Sequence, residues 1–250
     1  VPMPLHESNG FLPDYPAFKK IASGIRLMYL NYPNNPTGAA APRRFFEETV
    51  RFAARRGIAV CHDNAYSELY YDDRKPGSFL QADGARSVGV EFHSLSKTFN
   101  MTGWRIGFVA GNTQMIAALA KIKSNIDSGV FSAIQMAGVE ALSRTEEFSA
   151  KLNGVYQKRR DLLMRGLEAM GWPVFRPHGA FYLWTRMPGG QRDSMEFCRK
   201  LLEETGIVIT PGVGFGKMGE GFVRFALTVP APGIREALER MSRAVSRIRS

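Results

Sequence analysis

The sequence predicts an α/β fold: a mostly parallel sheet flanked by helices, followed by a second, smaller α+β domain. Three observations carry this. Between residues 25 and 61 an apolar run of strand length, a helix-periodic stretch and a second apolar run follow one another at the spacing of a parallel crossover. From 145 to 170 a long, highly charged helical periodicity breaks the alternation, and so polar a helix suits a connector between two lobes. Beyond it, short strand-like runs and helices mix without strict order. The expected division is therefore 1–145 and 146–250, joined by that helix.

Taken in order, residues 1–24 hold Asn9-Gly10 and Pro2, Pro4, Pro13 and Pro16, turn formers with no long periodic element. Residues 25–30 form the first apolar run, and the stretch Asn31-Tyr32-Pro33-Asn34-Asn35-Pro36-Thr37-Gly38 after it is dense in turn residues. Pro42 opens a helical pattern to Arg56 with Phe45, Phe46, Val50 and Ala53 on one face, and Gly57 stops it. Residues 58–61 read as the next strand, ending in His62-Asp63-Asn64-Ala65-Tyr66. After a polar stretch, strands are expected at 87–92 and 106–110, with helices at 113–123 and about 131–142. In the second part, strands are expected at 173–176, 180–186, 207–209 and 222–227, with helices at about 193–204 and 232–248.

With 250 residues, 44% hydrophobic and 22% charged, the chain has ordinary globular usage and enough length for a sizeable core. No apolar stretch approaches the roughly 18 residues that span a bilayer, so no membrane association is expected. Cys61 and Cys198 lie far apart, which suits a reduced, cytoplasmic protein. The charge of +10 comes from 33 Lys plus Arg against 23 Asp plus Glu. Because the basic residues follow helical faces, as in Lys158-Arg159-Arg160 and Arg235, Arg240, Arg243, Arg247 and Arg249, without aromatic interleaving, no nucleic acid is expected as a partner.

In an open parallel sheet, ligands sit beyond the carboxyl ends of the strands. Three turns fall there. The first offers Asn35 and Gly38, the second Asp63 and Tyr66, and the third Ser94, Ser96 and Lys97, with Arg105 eight residues on. Each has an ordinary explanation as a turn, a cap or a packing residue. A lysine bounded by strands, however, is a candidate nucleophilic amine, and a carboxylate, a phenol and an amide would share its rim. No metal-ligand spacing is present.

The ordered set Asn34-Asn35-Pro36-Thr37-Gly38, Asp63-Asn64-Ala65-Tyr66, Ser94-Leu95-Ser96-Lys97 with Arg105, and Phe222-Val223-Arg224 resembles the class I/II aminotransferases, which bind pyridoxal 5'-phosphate on the type I fold. The resemblance implies a transaminase moving an amino group between an amino acid and a 2-oxo acid such as 2-oxoglutarate. By it, Lys97 forms the Schiff base and moves the proton, and Asp63 pairs with the pyridine nitrogen. Asn35 and Tyr66 bond the phenolic oxygen, Ser94 and Arg105 contact the phosphate, and Ser96 counts among the cofactor-binding residues. Arg224, with Asn35, binds the substrate α-carboxylate. A homodimer is implied for the intact protein. The segment 179–184 also resembles the family near the substrate, and strand packing explains it equally well.

The resemblance covers the later part of such enzymes. A phosphate-cradling turn at a helix N-terminus and an aromatic ring that stacks on the pyridine have no counterpart before Asn35. The expectation is a piece of a longer protein that by itself binds the cofactor weakly. One alternative, a carbon–sulfur lyase, keeps the same lysine and Asp63; another, from a different class, is the effector domain of an aminotransferase-like transcription regulator.

Overall fold

The computed structural model describes residues 1–16 and 24–249, with the side chains of 245–249 left aside, so part of the expected turn-rich stretch 1–24 and the side chains of Arg247 and Arg249 lie outside the described residues. Four strands make the first sheet: β1 (Leu27–Asn31), β2 (Ala59–Asp63), β3 (Gly89–Ser94) and β4 (Gly107–Gly111), in that spatial order. β1, β2 and β3 run parallel, and β4 returns antiparallel to β3. Asn31 stands beside Asp63 and Asp63 beside Phe92, so the carboxyl ends of three strands form one rim.

Helix α1 (Arg43–Arg56) supplies the crossover between β1 and β2. It buries Phe45, Phe46, Val50, Phe52 and Ala53, the positions its 3.6-residue period places on one face. Gly57 ends it in the left-handed conformation with its N–H on Ala53 C=O, a role glycine fills without a Cβ penalty. Phe46 and Phe79 pack with Met28, Leu30 and Val60 into the core beneath this face of the sheet.

The strand expected at 87–92 begins two residues later, because 85–88 form a short helical turn, α2 (Ala85–Val88), after left-handed Gly84. Gly89 then enters the sheet where a Cβ would stand 2.6 Å from Val60 C=O, so only glycine permits that approach. A second short helix, α3 (Leu95–Thr98), follows β3 and carries Lys97. After β4 come α4 (Thr113–Lys123) and α5 (Ser132–Ser143), close to the expected bounds.

Helix α6 (Thr145–Ala169) is the long charged helix, and it also belongs to a core. Tyr156, Leu163, Met164 and Leu167 pack with β5 (Tyr182–Arg186), β7 (Phe222–Ala226), α7 (Ser194–Thr205) and α8 (Ala231–Arg249). The second sheet is antiparallel throughout, in the order β5-β7-β6, with β6 only Thr210–Pro211. The strand expected at 173–176 is a single bridge from Val174 to Thr185, and the one expected at 207–209 gives way to β6. Ile207 N–H goes to the Thr205 hydroxyl rather than to a neighbouring strand, which delays pairing. Among the described residues no helix is long and apolar enough to cross a membrane.

Candidate active site

The turn after β1 is held by its own amides. Asn31 Oδ1 accepts from Asn35 N–H (2.8 Å), Asn31 Nδ2 donates to Asp63 C=O (3.0 Å), and Asn34 Nδ2 donates to Asn31 C=O (3.1 Å). Asn34 Oδ1 takes both the N–H and the hydroxyl of Thr37 (3.1 and 2.8 Å). Gly38 closes the turn at φ +70°, and its C=O accepts from His178 and Gly179 N–H (2.8 and 3.0 Å). A Cβ there would stand 2.4 Å from Pro177 Cβ, so the residue is glycine for two reasons.

This turn presents Asn35 to the second sheet. Arg224, in the middle of β7, reaches back with Nη1 to Asn35 Oδ1 (2.8 Å), while Nη2 donates to the Thr210 hydroxyl (3.3 Å). Its guanidinium lies between two rings, 4.1 Å from the centroid of Tyr182 and 4.8 Å from that of Phe215. The plane of the fork is therefore set by stacking and its rotation by Asn35. Arg224 Nε is buried and has no hydrogen-bond partner among the described residues. Val223 and Phe225 point the other way into the core, as strand alternation requires.

Tyr66 follows β2 and is buried, with its hydroxyl donating to Tyr182 Oη (3.3 Å). Burial pushes its phenol well above the usual range, with the Tyr182 hydroxyl and Asp63 adding to the effect, so it stays protonated at neutral pH. Asp63 is exposed, and its Oδ1 accepts from Ala65 N–H (3.1 Å), which leaves the other oxygen for a ligand.

On the neighbouring strand end, Ser94 caps α3 by accepting from Ser96 N–H (3.3 Å). Ser96 is buried and its C=O accepts from the Thr102 hydroxyl (3.2 Å). Lys97 is half-buried and makes no hydrogen bond or ion pair among the described residues. Arg105 is exposed, donates to Thr102 C=O (3.0 Å) and has φ +54°, a left-handed backbone that costs a non-glycine residue about 1 kcal/mol or more.

Of the residues singled out from sequence, Asn35 and Arg224 are bonded directly. Tyr66 joins them through Tyr182, and Asp63 is tied to Asn35 through Asn31. Ser94, Ser96, Lys97 and Arg105 share the rim without a hydrogen bond to that group. Cavities of about 710 and 550 Å³ flank the turn, the first reaching Asn31 and Asp63, the second Asn35, Trp184 and Phe215; Lys97 lines neither. Sequence reasoning left out Tyr182, Thr210 and Phe215. Tyr182 lay inside the noted 179–184 segment, whereas Phe215, in Gly212-Val213-Gly214-Phe215-Gly216, carried no signal beyond its glycines.

The sequence model of the family described as aminotransferase class I and II matches residues 1–241. The LL-diaminopimelate aminotransferase of Moorella thermoacetica is 49% identical over 247 residues, 98% of this chain and 63% of the relative. That of Halothermothrix orenii is 51% identical over 242 residues, 96% of this chain and 62% of the relative. Among solved structures, substrate-bound BacF from Bacillus subtilis superposes with a TM-score of 0.93 at 39% identity, covering 96% of this chain and 62% of that one. The aromatic aminotransferase of Pyrococcus horikoshii gives 0.94 at 32% identity, covering 99% and 67%. The chain thus spans a little under two thirds of the length of these curated relatives.

Proposed function

The chain belongs to the class I and II aminotransferases, and from that membership we propose that the protein moves an amino group between an amino acid and a 2-oxo acid, with pyridoxal 5'-phosphate carried on Lys97. The donor set fits that group chemically. It offers a half-buried amine with no ion-pair partner, an exposed carboxylate, a phenol that burial keeps protonated, a carboxamide, and, one strand on, two serines and an arginine. When bound, the group supplies an aldehyde to hold amines and a protonated pyridine ring that takes up the electrons left when the substrate loses its α-proton.

The rest falls to this chain. Lys97, once displaced by substrate, would take the proton from the substrate α-carbon and pass it to the cofactor's aldehyde carbon. Asp63 keeps the proton on the ring nitrogen through its unengaged oxygen. Tyr66 and the free Nδ2 of Asn35 donate to the ring's phenolic oxygen. Ser94, Ser96 and Arg105 take the phosphate, Arg105 through a fork that matches two of its oxygens.

The observation that carries this reading is the seat around Arg224. Two rings and Asn35 hold the guanidinium, and its buried Nε lacks an acceptor among the described residues. A buried donor without a partner costs about 1–3 kcal/mol, and the carboxylate of an amino acid is the planar acceptor that would satisfy it. The names of the relatives that are 49% and 51% identical support a diamino dicarboxylic donor such as LL-diaminopimelate; 2-oxoglutarate is the acceptor this reading proposes.

A division into two lobes with substrate between them follows from the same footing, because Asn35 and Arg224 come from different sheets. Exposed Ile122, Ile126, Phe131 and Met136, on and between α4 and α5, favour a homodimer that would cover them. The openness of Arg105 and Asp63 favours weak cofactor binding by these 250 residues alone.

The test is to mix the intact protein with LL-diaminopimelate and 2-oxoglutarate and to measure glutamate. Glutamate from the wild type and none from Lys97→Ala is expected. Glutamate at an undiminished rate from Lys97→Ala, or pyruvate and a thiol from cystathionine without any glutamate, overturns the proposal.

A further inference from the structure

Asn31 ends β1 one strand away from Asp63 and four residues before Asn35, and no role in binding falls to it. Yet its carboxamide is used at both ends. Nδ2 donates to the backbone C=O of Asp63 (3.0 Å) and Oδ1 accepts from the backbone N–H of Asn35 (2.8 Å), while its own C=O accepts from Asn34 Nδ2 (3.1 Å). Asn31 and Asp63 are also register partners in the sheet, so the first of these bonds spans the point where the two strands part.

The consequence is a chain of fixed distances. Asn35 is held by its N–H to Asn31 and by its side-chain oxygen to Arg224. Asp63 is held by its C=O to Asn31 and by one carboxylate oxygen to Ala65 N–H. Every step from Asp63 to Arg224 is thus a hydrogen bond, and Asn31 is the side chain that spans the step between β1 and β2. The step demands a head group that donates and accepts in one plane at short reach. Asparagine does both, aspartate at neutral pH only accepts, and alanine does neither.

We propose that Asn31 is a positioning residue: it sets the spacing between Asp63 and Asn35, and through them the attitude of the cofactor ring relative to Arg224. This rests on the function proposed above. Because the groups on the ring nitrogen and the phenolic oxygen govern how readily the bound cofactor gains and loses a proton, a shift in their spacing is read in the cofactor's own spectrum.

The experiment uses the intact protein with added pyridoxal 5'-phosphate and the variants Asn31→Asp and Asn31→Ala. Two readouts are taken: the pH midpoint of the bound cofactor's absorbance change, and hydrogen exchange at the Asn35 amide. Asn31→Ala removes the acceptor and is expected to speed exchange at Asn35 about tenfold and to move the midpoint. Asn31→Asp keeps the acceptor, so the Asn35 amide stays protected, but the bond to Asp63 C=O is lost and the midpoint still moves. Faster exchange with an unmoved midpoint in both variants assigns Asn31 to local folding only and overturns the inference. Unchanged exchange in Asn31→Ala overturns it as well. A wild type that takes up no cofactor overturns the proposed function instead. Exchange then decides alone: an Asn35 amide protected in the wild type and Asn31→Asp but not in Asn31→Ala supports the spacing role, and equal exchange in all three overturns it.

Discussion

Replacing Glu91 asks whether a buried carboxylate holds together β2, which ends at Asp63, and β3, which leads into the short helix that carries Lys97. Glu91, in β3, is 1% exposed. It accepts from His62 Nδ1 (2.9 Å) on β2, His93 Nε2 (2.8 Å), Phe79 N–H (2.8 Å) and the Ser78 hydroxyl (2.8 and 3.0 Å). Glu91→Gln keeps the shape and one oxygen. Hydrogen bonds to a charged group contribute about 1.5–3 kcal/mol against about 1 kcal/mol for neutral ones, so losing the charge on the three 2.8 Å links costs roughly 2 kcal/mol. Glu91→Leu leaves the Phe79 N–H and the His62 Nδ1–H buried without an acceptor, at about 1–3 kcal/mol each on top of the lost bonds, for a total of roughly 4–5 kcal/mol. Urea unfolding at pH 7 measures both. A leucine variant no less stable than the glutamine one would refute the reasoning.

The pH dependence has a definite sign. Burial raises the Glu91 carboxyl, but the hydrogen bonds from His62 and His93 outweigh it and hold the group well below the usual carboxylate range. A depressed folded value means that its contribution is present above the unfolded value, about 4.3, and is lost as pH falls below that toward the folded value. The wild type should therefore lose stability from about pH 4.3 downward, and Glu91→Gln should lose less of it.

Three further outcomes follow from packing and charge. Arg160 is fully buried, with both Nη atoms on the Asp72 carboxylate (2.9 and 2.8 Å) and Nε on Asp161 (2.9 Å); Asp72→Asn should cost roughly 3 kcal/mol in chemical unfolding, and Arg160→Met less, since an apolar replacement leaves no buried charge behind. Gly38→Ala and Gly57→Ala share a left-handed backbone, but only Gly38 has an atom in the way, Pro177 Cβ at 2.4 Å; both should lower the free energy of unfolding measured in urea, Gly57→Ala by about 1 kcal/mol and Gly38→Ala by about 2 kcal/mol more. Burial, with Glu220 adding to it, pushes the Cys198 thiol up to about 11, so in a Cys61→Ser background its alkylation rate should rise about tenfold per pH unit from 8 to 10 and level off only near 11, whereas a plateau near about 8.5 would contradict the burial.

What could be told from the chain alone is what neighbours in sequence decide. The 3.6-residue period of Phe45, Phe46, Val50 and Ala53, the stop at Gly57 and the turn formers from Asn31 to Gly38 are local, and they placed Asn35, Asp63, Tyr66 and Lys97 at strand ends in the right order. The two-residue misplacement at 87–92 came from Ala85-Arg86-Ser87-Val88, a short run whose conformation depends on Gly84 and on how closely Gly89 can approach Val60. Glu91 between Val90 and Phe92 looked like an ordinary strand position, because nothing in its neighbourhood tells that His62, 29 residues away, lies against it.

Composition, periodicity and turn chemistry by themselves determined the class of fold, the rim of the first sheet and the amine, carboxylate and phenol that stand on it. The tertiary structure decided which of those groups meet. Arg224 and Asn35 are 189 residues apart and touch only because the fold brings β7 of the second sheet against the turn that follows β1 of the first. Tyr182 and Phe215 become the faces of an arginine clamp, and Asn31 a strut between strands, by the same packing. Side-chain direction within a strand follows from alternation, but distance between strands follows from hydrogen-bond register and core volume, and these are properties of the whole folded chain.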